Sequence, residues 1–171
     1  MNVFFHVTTA IGIVAVVSDT LRMDNSKATI VPSVCAFVLG IIIHGVIDYM
    51  PHTYPFPAKV DVIFSLTIIL LVLLQARRRY RLIVAMSFLG CVFPDLVDLL
   101  PAIISKITGL NIPLYDKIFP FHQKDNSGSI FVGTSVVSDV NHISVLLVTI
   151  LVIWCRNSDF KRIFIKKDGK L

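Results

Sequence analysis

Charge is scarce in this chain: of 171 residues only 16% are Asp, Glu, Lys or Arg, against 55% hydrophobic. A soluble domain of this size has no core large enough for that much apolar material, so a water-soluble globular protein is excluded. The apolar runs are continuous, and without alternation of apolar and polar residues a transmembrane barrel is excluded too. Cysteine is also rare. Cys35, Cys91 and Cys155 lie inside apolar runs, far from any CxxC spacing, and read as small buried hydrophobes rather than disulfide partners. Gly-rich phosphate loops, GxSxG elbows and Asn-x-Ser/Thr sequons are absent. No basic residue precedes the first apolar run and no small-residue cleavage pattern follows it, so that run reads as a helix and not as a secretory signal.

What remains is a set of five apolar stretches, at about Asn2–Ser18, Thr29–Met50, Val60–Gln75, Leu82–Leu100 and Val140–Cys155. Each approaches the ~20 residues that a helix needs to cross a bilayer. The expected fold is therefore an all-α, polytopic membrane bundle of about five transmembrane helices, or of four with a half-inserted amino-terminal helix. Residues 1–155 form its single embedded domain and 156–171 a basic cytoplasmic tail.

Basic residues are retained on the cytoplasmic side of a membrane. Placing Arg77, Arg78, Arg79 and Arg81 inside also places Arg22, Lys27, Arg156, Lys161, Arg162, Lys166, Lys167 and Lys170 there. Only Lys59, Lys106, Lys117 and Lys124 then lie outside. The net charge of +5 follows from this topology and from contact with anionic membrane lipid, so no nucleic acid is invoked.

Counting ~1.5 Å per residue from each cytoplasmic boundary puts His6, His44, Asp95, Asp98 and His142 roughly 20 to 26 Å deep, in one layer toward the extracytoplasmic face. Ionisable groups at such depth face a bundle interior, where they pair, bind ions or do chemistry. His44, Asp48 and His52 recur every four residues and so share one face of the second helix and its extension. Asp95 and Asp98 share a face of the fourth, and Asp139 and His142 a face at the start of the fifth. Imidazole and carboxylate are ligands of divalent metals, and zinc held by His and Asp with an open position is the usual catalytic form. His6, His44, Asp48, His52, Asp95, Asp98 and His142 are the candidate ligands.

Each member also has a plainer reading. His6 can snorkel to the interface, His52 can be an ordinary residue of the Pro-rich loop that follows, and Asp139 with Asn141 can cap the fifth helix. Pro94 can break the fourth helix and leave Asp95 in a first turn. The whole set can equally be a polar network that holds the helices together.

The outer loop Pro101–Ser138 is too long to be a mere connector. Ile103–Leu110 reads as a short interfacial helix with Lys106 toward the headgroups. His122 and Asp125 lie where a lid can bring them over the bundle mouth. Ile130–Val137 is either a re-entrant element or the first turns of the fifth helix.

The stretch His44-Gly-Val-Ile-Asp48-Tyr-Met-Pro-His52, followed by Gly90-Cys-Val-Phe-Pro-Asp95-Leu-Val-Asp98, resembles the HxxxDxxPH and G-x-x-x-PDxxD signatures of small bacterial membrane proteins. These are similar to the membrane-bound metal-dependent hydrolases and, more distantly, to zinc-dependent phospholipase C. His6 near the start and His122 before Gly133-Thr134 fit the same order. The resemblance implies a bacterial inner-membrane hydrolase with a zinc site acting on a phosphoester or lipid-derived substrate. In that mechanism Asp98 or Asp48 is the general base and His122 protonates the leaving group. The alternative class is a transporter or assembly protein whose His/Asp set is a proton relay or purely structural. A relay needs a continuation toward the cytoplasm, and the inner halves of helices two to four offer only apolar residues with scattered Ser, Thr and Cys.

Overall fold

In the computed structural model, which describes residues 1–23, 25, 27–113 and 115–165, the chain is an all-helical bundle. The α-helices are α1 (Val3–Val17), α2 (Ile30–Tyr49), α3 (Ala58–Gln75), α4 (Arg81–Asp98), α5 (Leu100–Thr108), α6 (Val136–Cys155) and α7 (Asn157–Phe164). No strand is formed among the described residues; a single bridge joins His52 to Ser129.

Among the described residues four segments are long and apolar enough to cross a membrane: Lys27–Tyr49, Ala58–Gln75, Arg78–Asp98 and Val136–Cys155. Their burial is inverted relative to a soluble protein. Leu66, Leu70, Leu71 and Leu74 of α3 face outward, as do Leu147, Ile150 and Leu151 of α6, while His6, His44, Ser65, Ser87 and Ser138 are fully buried. That is the pattern expected where hydrocarbon is the solvent and polar groups must find partners inside.

The first apolar stretch does not give a fifth span of full length. With 15 residues α1 is about 22 Å long, short of a ~30 Å hydrocarbon core. It lies instead among α2, α3, α4 and α6. The end groups of such a helix need partners, and charged side chains from its neighbours serve them. Asp61 of α3 accepts the Val3 and Phe4 N–H groups at 2.7 and 2.9 Å. At the other end Arg156 donates to the carbonyls of Ala15 and Ser18 at 3.2 and 2.7 Å.

Below the candidate site, Val7, Ala10, Ile13 and Val14 of α1 pack with Ile83, Val84 and Phe88 of α4 in one apolar core that also takes in Ile163 and Phe164 of α7. The segment expected as a basic tail is therefore partly a docked helix. Asp159 binds Thr20, and Arg77 donates to the Ile165 carbonyl at 2.6 Å. Lys166, Lys167 and Lys170 lie outside the described residues.

Two helix boundaries differ from the sequence expectation. The α6 helix starts at Val136 rather than near 140, because the Ser135 side chain accepts the Ser138 N–H as N-cap. Asn141 is thus free to donate to the Pro51 carbonyl at 2.8 Å instead of capping. The α4 helix runs unbroken through Pro94, so Asp95 is in a continuous helix and not in the first turn of a new one.

The backbones of α2 and α4 come into direct contact. A Cβ placed on Gly90 would lie 2.2 Å from the Phe37 carbonyl oxygen, and one on Gly40 would lie 2.7 Å from the Cys91 nitrogen. Backbone meets backbone here, and no side chain fits. Gly90→Ala is expected to force α2 and α4 apart at a cost of about 1 to 3 kcal/mol. Thermal unfolding in detergent checks this, and an unchanged midpoint would refute the packing role.

Candidate metal centre

The α2–α4 contact fixes the helix faces on which the site is built. One turn beyond Gly40, His44 is fully buried and its Nδ1 lies 2.6 Å from the Cys91 carbonyl. A carbonyl only accepts, so Nδ1 carries the proton and Nε2 presents a lone pair. Asp48, the next turn of the same face, turns Oδ2 to within 3.4 Å of that Nε2. Its Oδ1 takes the Met1 amino group and lies 3.2 Å from His6 Nε2. Asp95 of α4 completes this side, with Oδ1 3.8 Å from His44 Nε2.

The fourth member comes from the outer loop. Residues Pro120–His122 form a 3-10 turn, and Phe121 packs against Gly45, where a Cβ would stand 2.7 Å from the ring. The missing side chain beside His44 is what admits Phe121 and brings His122 over the centre. His122 Nε2 lies 3.2 Å from His44 Nε2, 3.4 Å from Asp48 Oδ2 and 3.3 Å from Asp95 Oδ1. Its Nδ1 donates to Asp98 Oδ2 at 2.9 Å. Asp98 is itself fixed by the Ile118 and Phe119 N–H groups at 2.9 and 3.0 Å. This is the carboxylate–histidine arrangement that orients imidazoles at metal sites.

One ligand atom from each of His44, Asp48, Asp95 and His122 falls within 4.8 Å of the others, and the group can hold a metal ion. The donor set and its spacing fit. A tetrahedral ion with ligands at 2.0 to 2.1 Å has donor–donor edges of about 3.3 Å, and the distances given above run from 3.2 to 3.8 Å. With both Nδ1 protons directed away, two imidazole Nε2 atoms and two carboxylates converge, and the Met1 ammonium meets only Asp48 Oδ1 at the edge of the group. Such a group favours a further positive charge at its centre.

In the metal-free protein a proton on His122 meets that demand. Burial opposes its charged form, but hydrogen bonds to Asp48, Asp95 and Asp98 outweigh burial and hold its pKa at about 9.

The other candidate residues stand differently. His6 stacks on the His44 ring at 3.9 Å, and neither of its buried nitrogens completes a hydrogen bond, so it flanks the centre beside Asp48. Asp98 acts on His122 and is not among the four converging groups. His52 is outside the group: its Nδ1 donates to the Met50 carbonyl at 2.7 Å, and its Nε2 faces Tyr54 and Ser129. His142 is outside as well, stacked on Phe5 at 4.4 Å with Ser138 near its Nδ1. Asp61, which the sequence did not single out, lines the cavity above the centre while capping α1.

That cavity has a volume of about 1070 Å³. Asp48, Asp95 and His122 line it together with apolar groups of α3 and α5 and with Lys117 and Lys124. The re-entrant reading of Ile130–Val137 is not met. Ile130 pairs with His52 at 2.8 Å, Phe131 and Val132 are exposed, and α6 takes over at Val136. The expected interfacial helix is α5, which buries none of its residues.

No family model, no curated protein and no solved structure matches this chain.

Two outcomes follow from the His122 proton. Metal ligation displaces it, so log affinity should rise by about one per pH unit from roughly pH 7 until about pH 9 and then level off. Stability that the raised pKa gives the metal-free protein is fully present below pH 6.5 and is lost as pH rises through about 9. Asp98→Asn should lower metal affinity by about 10- to 100-fold. Chelator competition in detergent measures both effects, and a pH-independent affinity, equal in the variant, would contradict the assignment.

Proposed function

We propose that this chain is an integral membrane metalloenzyme, with a zinc ion held by His44, Asp48, Asp95 and His122, that hydrolyses a phosphoester or lipid-derived substrate at the extracytoplasmic face of a bacterial inner membrane. The observation that carries the reading is the convergence of His44, Asp48, Asp95 and His122, with Nδ1 of each histidine held by an acceptor so that Nε2 faces the centre. With four residues filling a tetrahedron, an ion held there would take water only at a fifth position; a water so held would have its pKa lowered to about 7, and the ion would polarise a scissile oxygen. The resemblance of the His44–His52 and Gly90–Asp98 segments to membrane-bound metal-dependent hydrolases supports the reaction class.

The residues around the centre take distinct parts in this reading. Asp95 has the most exposed of the four side chains and lines the cavity, and the carboxylate oxygen that it would not use on the ion is the one free to accept the proton of an attacking water. Lys117 and Lys124, on the cavity wall, attract an anionic group. Asp98 holds His122 in place rather than acting as base, and His122 serves as ligand rather than as the acid for the leaving group.

Membrane orientation is read from the charges. Segments carrying Arg77, Arg79 and Arg156 are tied together at one end of the bundle through the carbonyls of Ile165, Met23 and Ser18. The centre lies toward the opposite ends of α2 and α4. Between the two, the apolar layer of α1 and α4 separates the site from the basic end, which argues against a relay through one chain.

Mass spectrometry of detergent-purified protein tests the proposal. Near-stoichiometric zinc is expected in the wild type and should be lost in an Asp48→Ala, Asp95→Ala double variant that remains helical by circular dichroism. A metal-free wild type that also fails to take up added zinc would refute the enzyme reading and leave the cluster as structure.

A further inference from the structure

The cavity above the centre has a second polar wall, made by Tyr54, Ser127 and Ser129. Behind it His52 is fully buried, and its Nδ1 proton is committed to the Met50 carbonyl at 2.7 Å. Its Nε2 therefore only accepts. Burial pushes its pKa down to about 4, which keeps the ring neutral.

The hydroxyl protons can be counted from there. Tyr54 Oη and Ser129 Oγ lie 3.3 and 3.2 Å from His52 Nε2 and 2.7 Å from each other. Ser127 Oγ lies 2.8 Å from Ser129 Oγ and accepts the Ser129 N–H. Tyr54 and Ser129 own two protons between them. One proton satisfies Nε2 and the other satisfies the Tyr–Ser bond, whichever way the chain runs. Ser127 then supplies its proton to Ser129. In both arrangements the Tyr54 oxygen keeps an unused lone pair and has no proton left to give. A wall of hydroxyls that looks amphoteric is in fact an acceptor, and a phosphate oxygen is repelled there. The Tyr54 ring stacks on Phe131 at 5.6 Å.

We propose that the Tyr54 oxygen is a specificity subsite that accepts a hydrogen bond from a hydroxyl or ammonium group on the substrate's alcohol, next to the phosphoester. The inference rests on the phosphoester reading of the metal centre. It gives the cavity two poles: the ion with Lys117 and Lys124 for the anionic group, and Tyr54 on the same cavity wall for a donor. Simple alkyl phosphates satisfy only the first pole. Phosphoesters of diols, polyols or amino alcohols satisfy both.

Calorimetric titration of the zinc-loaded full chain in detergent tests the assignment, with 2-hydroxyethyl phosphate and ethyl phosphate as probes that differ by one hydroxyl. The wild type is expected to bind the hydroxyethyl ester about fivefold more tightly, the net contribution of one hydrogen bond. Tyr54→Phe keeps the ring and should abolish that preference, with ethyl phosphate affinity, zinc content and circular dichroism unchanged. Equal binding of the two probes by the wild type, or a preference that survives in Tyr54→Phe, would overturn the subsite. Failure of both probes to bind the zinc-loaded protein would overturn the phosphoester reading itself, and this inference with it.

Discussion

The backbones of α2 and α4 touch at Gly40 and Gly90, and the geometry of the centre depends on that contact. Because no side chain separates them, the Cys91 carbonyl is within reach of His44, one turn along α2. That single bond sets the tautomer of His44 and aims its Nε2 at Asp48 and Asp95. In a bilayer there is no hydrophobic drive to press helices together, so close packing of small residues and interhelical hydrogen bonds must do it. Here the two operate at adjacent turns. The residues that allow the approach and the residues that bind the cation belong to one stretch of each helix.

A second constraint is the placement of α1 inside the bundle. A short helix enclosed by longer ones carries its end dipoles into an apolar interior, and Asp61 and Arg156 neutralise them from opposite ends. The same enclosure places His6 against the ring of His44 and fills the space below the centre with Val7, Ala10 and Ile13. Asp48, Asp95 and His122 face the cavity that residues of the outer loop also line.

Much of this was legible in the sequence where one helix alone decides geometry. The four-residue spacing of His44 and Asp48 puts both on one face, and depth counting put His6, His44 and Asp95 in one layer. The same spacing failed for His52 because α2 ends at Tyr49 and Pro51 follows, so the helical period no longer applies. His142 has the right depth but the wrong neighbour: α6 packs it on Phe5 of α1, and no local pattern tells which helix a face will meet. His122 was legible as a loop residue over the bundle mouth, but its place in the ligand group was not, for a related reason. Its entry depends on Phe121 seating against Gly45, a contact 76 residues apart in sequence that spacing does not encode. Asp98 lies three residues from Asp95 and looks like a partner ligand, yet two backbone N–H groups of the loop turn it toward His122 instead. Asp61 passed unnoticed, although an acid in the first turn of an apolar helix just after Pro57 is a signal of an unusual partner.

X-ray absorption at the zinc edge tests the central claim most directly, because it reports the ligand atoms themselves. A first shell of nitrogen and oxygen at 2.0 to 2.1 Å with the outer-shell pattern of two imidazoles is the predicted result. A sulfur shell near 2.3 Å, or a shell without imidazole, would contradict a centre built from His44, Asp48, Asp95 and His122.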